Sequence, residues 1–149
     1  MDTSGFGLRP AGPADLEAVA ELLRESRLPL DGLEDAFPAA IVATRGGRIV
    51  GCVALQLCGR AALLRSLAVS PDERGRGVGA ALTMKALAAA RTLGARDVYL
   101  LTETARDFFP RFGFAVEDRA GAPAAVQSSV EFRSACPASA LMMRARVTS

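Results

Sequence analysis

The sequence contains no histidine. That absence removes His/Cys zinc sites and every histidine-dependent catalytic dyad or triad. Cysteine is scarce as well. The three stand at positions 52, 58 and 136, without a Cys-x-x-Cys spacing, so no metal site is expected. Cys52 falls in an apolar stretch and reads as core, and a bridge is not expected in a reducing cytoplasm. Lys85 is the only lysine among eighteen basic residues, a bias that reflects genome composition rather than chemistry. The net charge of +2 is too small to imply a nucleic-acid partner. No apolar run approaches the length of a membrane span, and Met1 to Gly12 lacks the charged-then-apolar order of a signal peptide. A cytoplasmic protein with no membrane partner is therefore expected. What is present is 149 residues, half of them hydrophobic. That suits one domain, 1–149, with a sizeable core.

The stretch Leu63 to Leu87 organises the rest: LLRSLAVSPDERGRGVGAALTMKAL. It opens as a short apolar run, 63–69, that reads as a buried strand. Ser70-Pro71-Asp72 breaks it. Arg74-Gly75-Arg76-Gly77-Val78-Gly79 follows, and then a long Ala/Leu-rich helical pattern. Strand, glycine-rich turn and helix start are the parts of an anion site. Glycine lets the backbone come close, and the unpaired N–H groups of a first helical turn point at a negative group. The dinucleotide fingerprint needs a different glycine spacing, and the phosphate loop needs a Lys-Ser/Thr pair where this chain has Ala80-Ala81. A plain flexible turn is the alternative.

Around this stretch the chain reads as an alternation of strands and helices. Gly5 to Pro10 is a short strand. Gly12-Pro13 opens a helix with Asp15 in its first turn and Leu16, Val19, Ala20 and Leu23 on one face, and Leu28-Pro29 stops it. A further short helix is expected over 31–37. Ala40 to Thr44 and Ile49 to Leu57 form strands joined by a Gly46-Gly47 hairpin. The post-loop helix runs from about Val78 to Leu93; Val78, Leu82, Lys85 and Ala89 mark one stripe, and Ala81, Met84, Leu87 and Ala88 form a broader apolar face. Asp97 to Leu101 is a buried strand, parallel to 63–69 through a right-handed crossover. Thr104 suits the N-cap of a helix over 105–111. A strand near 114–118, a helix over 124–133 and a last strand over 141–147 complete the pattern.

Arg-x-x-Gly-x-Gly after a strand ending Leu-Ala-Val-x-Pro resembles the acyl-coenzyme A loop of the GCN5-related N-acetyltransferases (GNAT). The block Phe108-Phe109-x-x-x-Gly113-Phe114 is similar to that family too. The resemblance spans roughly residues 6 to 147 and is strongest over 63–114. It implies an α/β (α+β) GNAT fold. This has a mixed central sheet of about six to seven strands flanked by helices, with a parallel strand pair splayed at the coenzyme site. It implies acetyl-CoA as co-substrate and no metal. Backbone groups of Leu67, Ala68 and Val69 would line the pantetheine arm. The amides from Arg74 through Gly75, Arg76, Gly77, Val78 and Gly79 to Ala80 would hold the pyrophosphate, with Arg74 and Arg76 adding charge. A narrower likeness rests on Leu64-Arg65-Ser66-Leu67, Tyr99-Leu100-Leu101-Thr102-x-Thr104-Ala105, Phe108-Phe109, Gly113-Phe114, and Glu131-Phe132 with Cys136-Pro137. These are similar to acetyltransferases associated with bacterial arsenic-resistance genes. That likeness implies a small amine acceptor, an amino acid or an organoarsenical analogue. Dimers are common in the family, so a homodimer is one expected state.

Two positions depart from the family pattern. Thr104 stands where an Asn is usual, and it can still cap or donate toward the coenzyme. Phe109 stands where a Tyr usually protonates the leaving thiolate, so it is expected to line the coenzyme site without acting as acid. Tyr99, the one tyrosine, lies mid-strand and reads as core. A thiol with a pKa of ~8.5 leaves readily, so water suffices as acid.

The chemistry implied is direct attack of a neutral amine on the thioester. A backbone N–H of Leu67 or Val69 would meet the oxyanion. Without histidine the base must come from the carboxylates. Glu103, beyond the 97–101 strand, is the candidate, and an exposed turn carboxylate is the competing reading. Arg65 interrupts an apolar strand; with Ser66 it reads as a clamp on a substrate carboxylate, or else as half of a buried ion pair. Glu131 is a further acceptor-side candidate. Cys136 is a packing residue or an arsenic ligand. Arg106 and Arg111 read as solvated, with one of them in reach of the coenzyme phosphates. A protein or peptide acetyltransferase and a non-catalytic acyl-CoA sensor remain the alternatives.

Overall fold

The computed structural model describes residues 5–33, 39–103, 105–129, 132–133 and 140–147. Its centre is a seven-stranded sheet in the order β1-β2-β3-β4-β5-β7-β6. The strands are β1 (Phe6–Pro10), β2 (Ile41–Arg45), β3 (Arg48–Cys58), β4 (Ala61–Val69), β5 (Asp97–Thr102), β6 (Ala115–Glu117) and β7 (Leu141–Arg146). β1 to β4 form an antiparallel meander, and the last strand, β7, inserts between β5 and β6. Among the described residues only β4 and β5 pair in parallel. This is the mixed α/β sheet that the sequence pattern implied. The Gly46-Gly47 hairpin holds both glycines at positive φ, +59° and +79°, the dihedrals that a two-residue turn between twisted strands requires.

Helices cover both faces. α1 (Leu16–Glu25) follows a 3-10 turn at Pro13–Asp15. It buries Val19, Leu22 and Leu23 against Cys52, Ala54 and Ala68. On the opposite face lies α2 (Val78–Thr92), which packs Val78, Leu82, Ala86 and Ala90 onto Ala43, Val53, Leu55, Ala62 and Leu64. Of the two sides read for this helix, the stripe begun by Val78 and Leu82 is buried and continues through Ala86 and Ala90, while the broader face around Met84 is not the buried one. Met84 is 63% exposed, and the buried stripe follows i, i+4 steps through small alanines. Those alanines let α2 lie close to β3, and Gly51 completes the fit. A Cβ there would stand 2.9 Å from both Leu82 Cδ1 and Val78 Cγ1. A third cluster, Leu63, Tyr99 and Met142 with Val126 and Phe132, fills the α1 face beyond β4. Tyr99 is therefore a core residue.

Two expected helices are shorter than read. The 105–111 segment forms a turn followed by a 3-10 helix over Phe109–Phe112. Pro110 has no N–H to give a longer ladder, and Gly113 at φ +94° ends it. The 124–133 helix is confined to α3 (Ala124–Gln127), with a separate helical fragment at 132–133. Most of the helix expected over 31–37 lies outside the described residues. Among the described residues no helix is long and apolar enough to cross a membrane.

Candidate functional site

β4 and β5 pair only at Ala61–Asp97, Ala62–Val98 and Leu63–Tyr99. Beyond that point β4 stays with β3 as far as Val69, and β5 stays with β7 as far as Thr102. The strands diverge and leave a slot between them. A β-bulge in β4 accompanies the split. Cys52 opposes Ala68 while Ala54 opposes Arg65, so β4 carries one extra residue there. Ser66 takes the left-handed conformation at φ +61°. Facing is reversed downstream: Ala62 and Leu64 pack toward α2, and after the bulge so do Leu67 and Val69. The Cys52 thiol donates to the Ser66 carbonyl at 3.2 Å. Burial pushes the Cys52 thiol up to about 12, so it stays protonated as that donor.

Downstream of the bulge, the Ser70 N–H donates to the Val50 carbonyl at 2.8 Å. In an antiparallel ladder alternate residues bond to the same neighbour. The amides of Ala68 and Ser70 thus serve β3, and those of Leu67 and Val69 face the slot. Arg65, 2% exposed, lies at the bulge on the α1 face. Its Nε donates to Ser66 Oγ at 3.1 Å.

The chain then turns through Pro71–Glu73 into the glycine loop. Gly75 and Gly77 have φ of +80° and +87°, where a side chain would be strained. Gly77 is also the N-cap of α2. The Ala81 N–H donates to the Gly77 carbonyl at 3.0 Å, leaving the amides of Val78, Gly79 and Ala80 ahead of the helical ladder. These amides and the positive helix end make an anion cradle. Glu73 is buried directly before the loop, and both its oxygens are held by Arg45, at 2.8 and 3.0 Å. The pair cancels a charge that would repel an anion. Ser70 Oγ donates to Asp72 at 2.6 Å, and with Arg48 it lowers that carboxyl's pKa.

Across the slot the wall comes from the end of β5 and the segment after it. Ala105 N–H donates to Thr102 Oγ1 at 3.0 Å, so Thr102 fixes the turn out of β5. Phe109 is buried, edge-on to Phe108 and Phe114. Ser26, Leu28 and Pro29, just past α1, close the third side. The space enclosed is about 800 Å³.

Of the residues singled out from the sequence, the cavity brings together Arg65, Ser66, Leu67, Ala68, Val69, Arg74, Gly75, Gly77, Gly79, Ala80 and Phe109. Arg76 is exposed and Val78 is packed under the sheet; neither side chain lines the cavity. Glu103 is exposed, one residue past β5, and does not line it either. Thr104, Glu131 and Cys136 lie outside the described residues. Sequence reasoning missed Glu73, Thr102 and the Ser26–Pro29 side. It grouped Arg111 with Arg106, although only Arg111 lines the cavity.

The arrangement is open strand amides beside an anion cradle. It suits a long extended ligand that carries a phosphate group at one end. The model of the acetyltransferase (GNAT) domain matches residues 38–116, more than half of the chain. No curated protein matches the sequence. Among solved structures, N-acetylglutamate synthase from Neisseria gonorrhoeae, complexed with coenzyme A and N-acetyl-glutamate, superposes with a TM-score of 0.82 at 21% identity. The match covers 97% of this chain, which spans only 35% of that enzyme. A Mycobacterium tuberculosis protein in complex with CoA and a second ligand, NLQ, superposes with a TM-score of 0.81 at 25% identity, covering 94% of this chain and 98% of its own. A GNAT-family acetyltransferase from Staphylococcus aureus gives 0.77 at 15% identity, over 96% and 99% of the two chains. The chain belongs to the GNAT acetyltransferase family.

Proposed function

We propose that the protein moves the acetyl group of acetyl-CoA to the primary amine of a small molecule, an amino acid or a close analogue. The observation that carries this reading is one continuous cavity. It runs from the glycine loop at the start of α2 to the Arg65–Ser66 pair at the bulge. The loop amides from 74 to 80 and the Arg74 side chain bind the pyrophosphate. Leu67 and Val69 hold the pantetheine arm like an added strand. Phe109 packs against the arm and supplies no proton. Arg65 and Ser66, which line the same cavity, bind the acceptor in this reading, since a planar guanidinium suits a carboxylate.

In this reading the neutral amine nitrogen attacks the thioester carbonyl carbon. A C–N bond forms, the C–S bond breaks, and sulfur leaves with the electron pair. An amide of Leu67 or Val69 meets the oxyanion. The nitrogen gives up one proton through water to Glu103, exposed just past β5. The thiolate takes one from water, which its pKa of ~8.5 allows. An organoarsenical amino-acid analogue is the narrower acceptor proposed. Its support is the sequence likeness at 64–67, 99–102 and 131–137.

The test is thiol release from acetyl-CoA across a panel of amines. Amino acids and carboxylate-bearing analogues should turn over, and Arg65→Ala should raise their KM most. Turnover confined to basic peptides, or none on any amine, would sink the proposal.

A further inference from the structure

A second cationic wall faces the glycine loop. Arg111 lines the same cavity as Arg74, Gly75, Gly77 and Gly79, but it comes from the segment after β5. Its guanidinium is held in place on three counts. Nε donates to the Phe108 carbonyl at 3.2 Å. The guanidinium carbon lies 4.9 Å from the centre of the Phe108 ring and 5.8 Å from that of Phe112, both within cation–π range. Phe108 in turn stands over the first turn of α2: a Cβ built on Gly79 would lie 3.6 Å from Phe108 Cζ. The Phe108 ring thus links Arg111 to the first turn of α2. No carboxylate pairs with it among the described residues. With one N–H spent on the Phe108 carbonyl, four donors of the guanidinium fork are left.

We propose that Arg111 is a coenzyme-binding residue that grips a phosphate of acetyl-CoA from the side opposite the glycine loop. An arginine with its Nε anchored and its face stacked loses little freedom on binding, so its remaining donors present a preformed fork. The phosphate is either part of the diphosphate or the 3′-phosphate of the ribose; both are anions of one chemistry. The assignment rests on the coenzyme lying along the 74–80 loop.

Steady-state kinetics with three acetyl donors test it: acetyl-CoA, 3′-dephospho-acetyl-CoA and phosphate-free acetyl-pantetheine. Arg111→Ala should raise the KM for acetyl-CoA roughly five- to tenfold, a little under the usual range for a hydrogen bond to a charged group because the site is exposed, and leave kcat within about twofold. Arg111→Lys should recover part of the loss, since it keeps the charge without the fork. Arg106→Ala, exposed and off the cavity, should change nothing. A loss seen with acetyl-CoA alone assigns the 3′-phosphate; an equal loss with the dephospho donor assigns the diphosphate. No loss with either, or the same loss with acetyl-pantetheine, overturns the proposal. Calorimetry of coenzyme A binding to the unsubstituted protein separates the two readings. Failure there overturns the placement along the loop and this residue with it, whereas normal binding unaffected by Arg111→Ala overturns this residue alone.

Discussion

Arg45 and Glu73 meet across 28 positions of sequence, with Nε on Oε2 at 2.8 Å and Nη2 on Oε1 at 3.0 Å. Glu73 is 3% exposed, and its turn leads straight into the glycine loop. The ion pair therefore ties the loop to the β2–β3 hairpin. Arg45→Ala would leave a buried carboxylate unpaired. The expected cost is about 2 kcal/mol, below the ~3–5 kcal/mol of a fully buried pair because Arg45 is partly exposed. Coenzyme A affinity should fall with stability, since the stranded charge lies beside the cradle. Glu73→Gln keeps the shape and removes the charge, so it should cost less. Thermal melts and calorimetric titration of the two variants check the order.

Gly51 has no room for a side chain. The 2.9 Å approaches to Leu82 and Val78, with the Ala68 carbonyl at 3.3 Å, leave a methyl group nowhere to go. Gly51→Ala should destabilise by about 1–3 kcal/mol, the usual range for overpacking. Leu82→Ala opens space at that contact. The double variant should lose less than the sum of the single losses, a coupling that shared partners produce. Urea denaturation of the four proteins measures it.

The entry to α1 is tuned by acid. Asp15 accepts from Arg9 at 2.7 and 3.0 Å and from the Gly12 N–H at 2.7 Å. The Arg9 hydrogen bond, then the backbone one, pull its pKa down to about 2. The unfolded value is ~3.9. A carboxyl depressed by folding adds stability that is fully present above the unfolded value and is lost as the pH falls toward the folded one. The urea midpoint of the unsubstituted protein should exceed that of Asp15→Asn at neutral pH. The gap should close between about pH 4 and pH 2. A gap that persisted at pH 2 would mean that Asp15 acts by shape rather than charge.

The strands were legible because each carries a continuous or alternating apolar run between turn residues, and the Arg-x-x-Gly-x-Gly loop because its spacing excludes the commoner phosphate motifs. The slot was expected only through family likeness. Nothing in Arg65-Ser66-Leu67 marks a bulge, because serine occupies the left-handed position that glycine usually fills. Strict alternation would have put Leu67 and Val69 on the wrong face. The buried side of α2 was read only at its Val78–Leu82 start, because alanine scores alike on every face and only contact with β3 chooses among them. Arg45–Glu73 and Arg111–Phe108–Gly79 join residues from separate elements, so no local pattern announces them. Glu103 was placed correctly at the end of β5, but periodicity does not say whether a residue past a strand turns toward a cavity or toward water.

Ser66 offers a reversal of the usual residue ranking. Its φ of +61° costs a residue with a Cβ about 1–2 kcal/mol, which glycine does not incur. Its hydroxyl accepts from Arg65 Nε. Ser66→Ala keeps the strain and loses the hydrogen bond. Ser66→Gly loses the same bond and relieves the strain. Glycine should therefore be the more stable of the two by about 1 kcal/mol, against the ordinary preference for alanine over glycine inside a strand. Both should raise the acceptor KM by similar factors, because both remove the Ser66 bond that helps to orient the Arg65 guanidinium. Thermal melts fix the first order and steady-state kinetics the second. An alanine variant more stable than the glycine one would mean that β4 relaxes out of the left-handed conformation once the hydroxyl is gone. The bulge would then be held by the Ser66–Arg65 bond rather than by the packing of Leu67 and Val69 against α2.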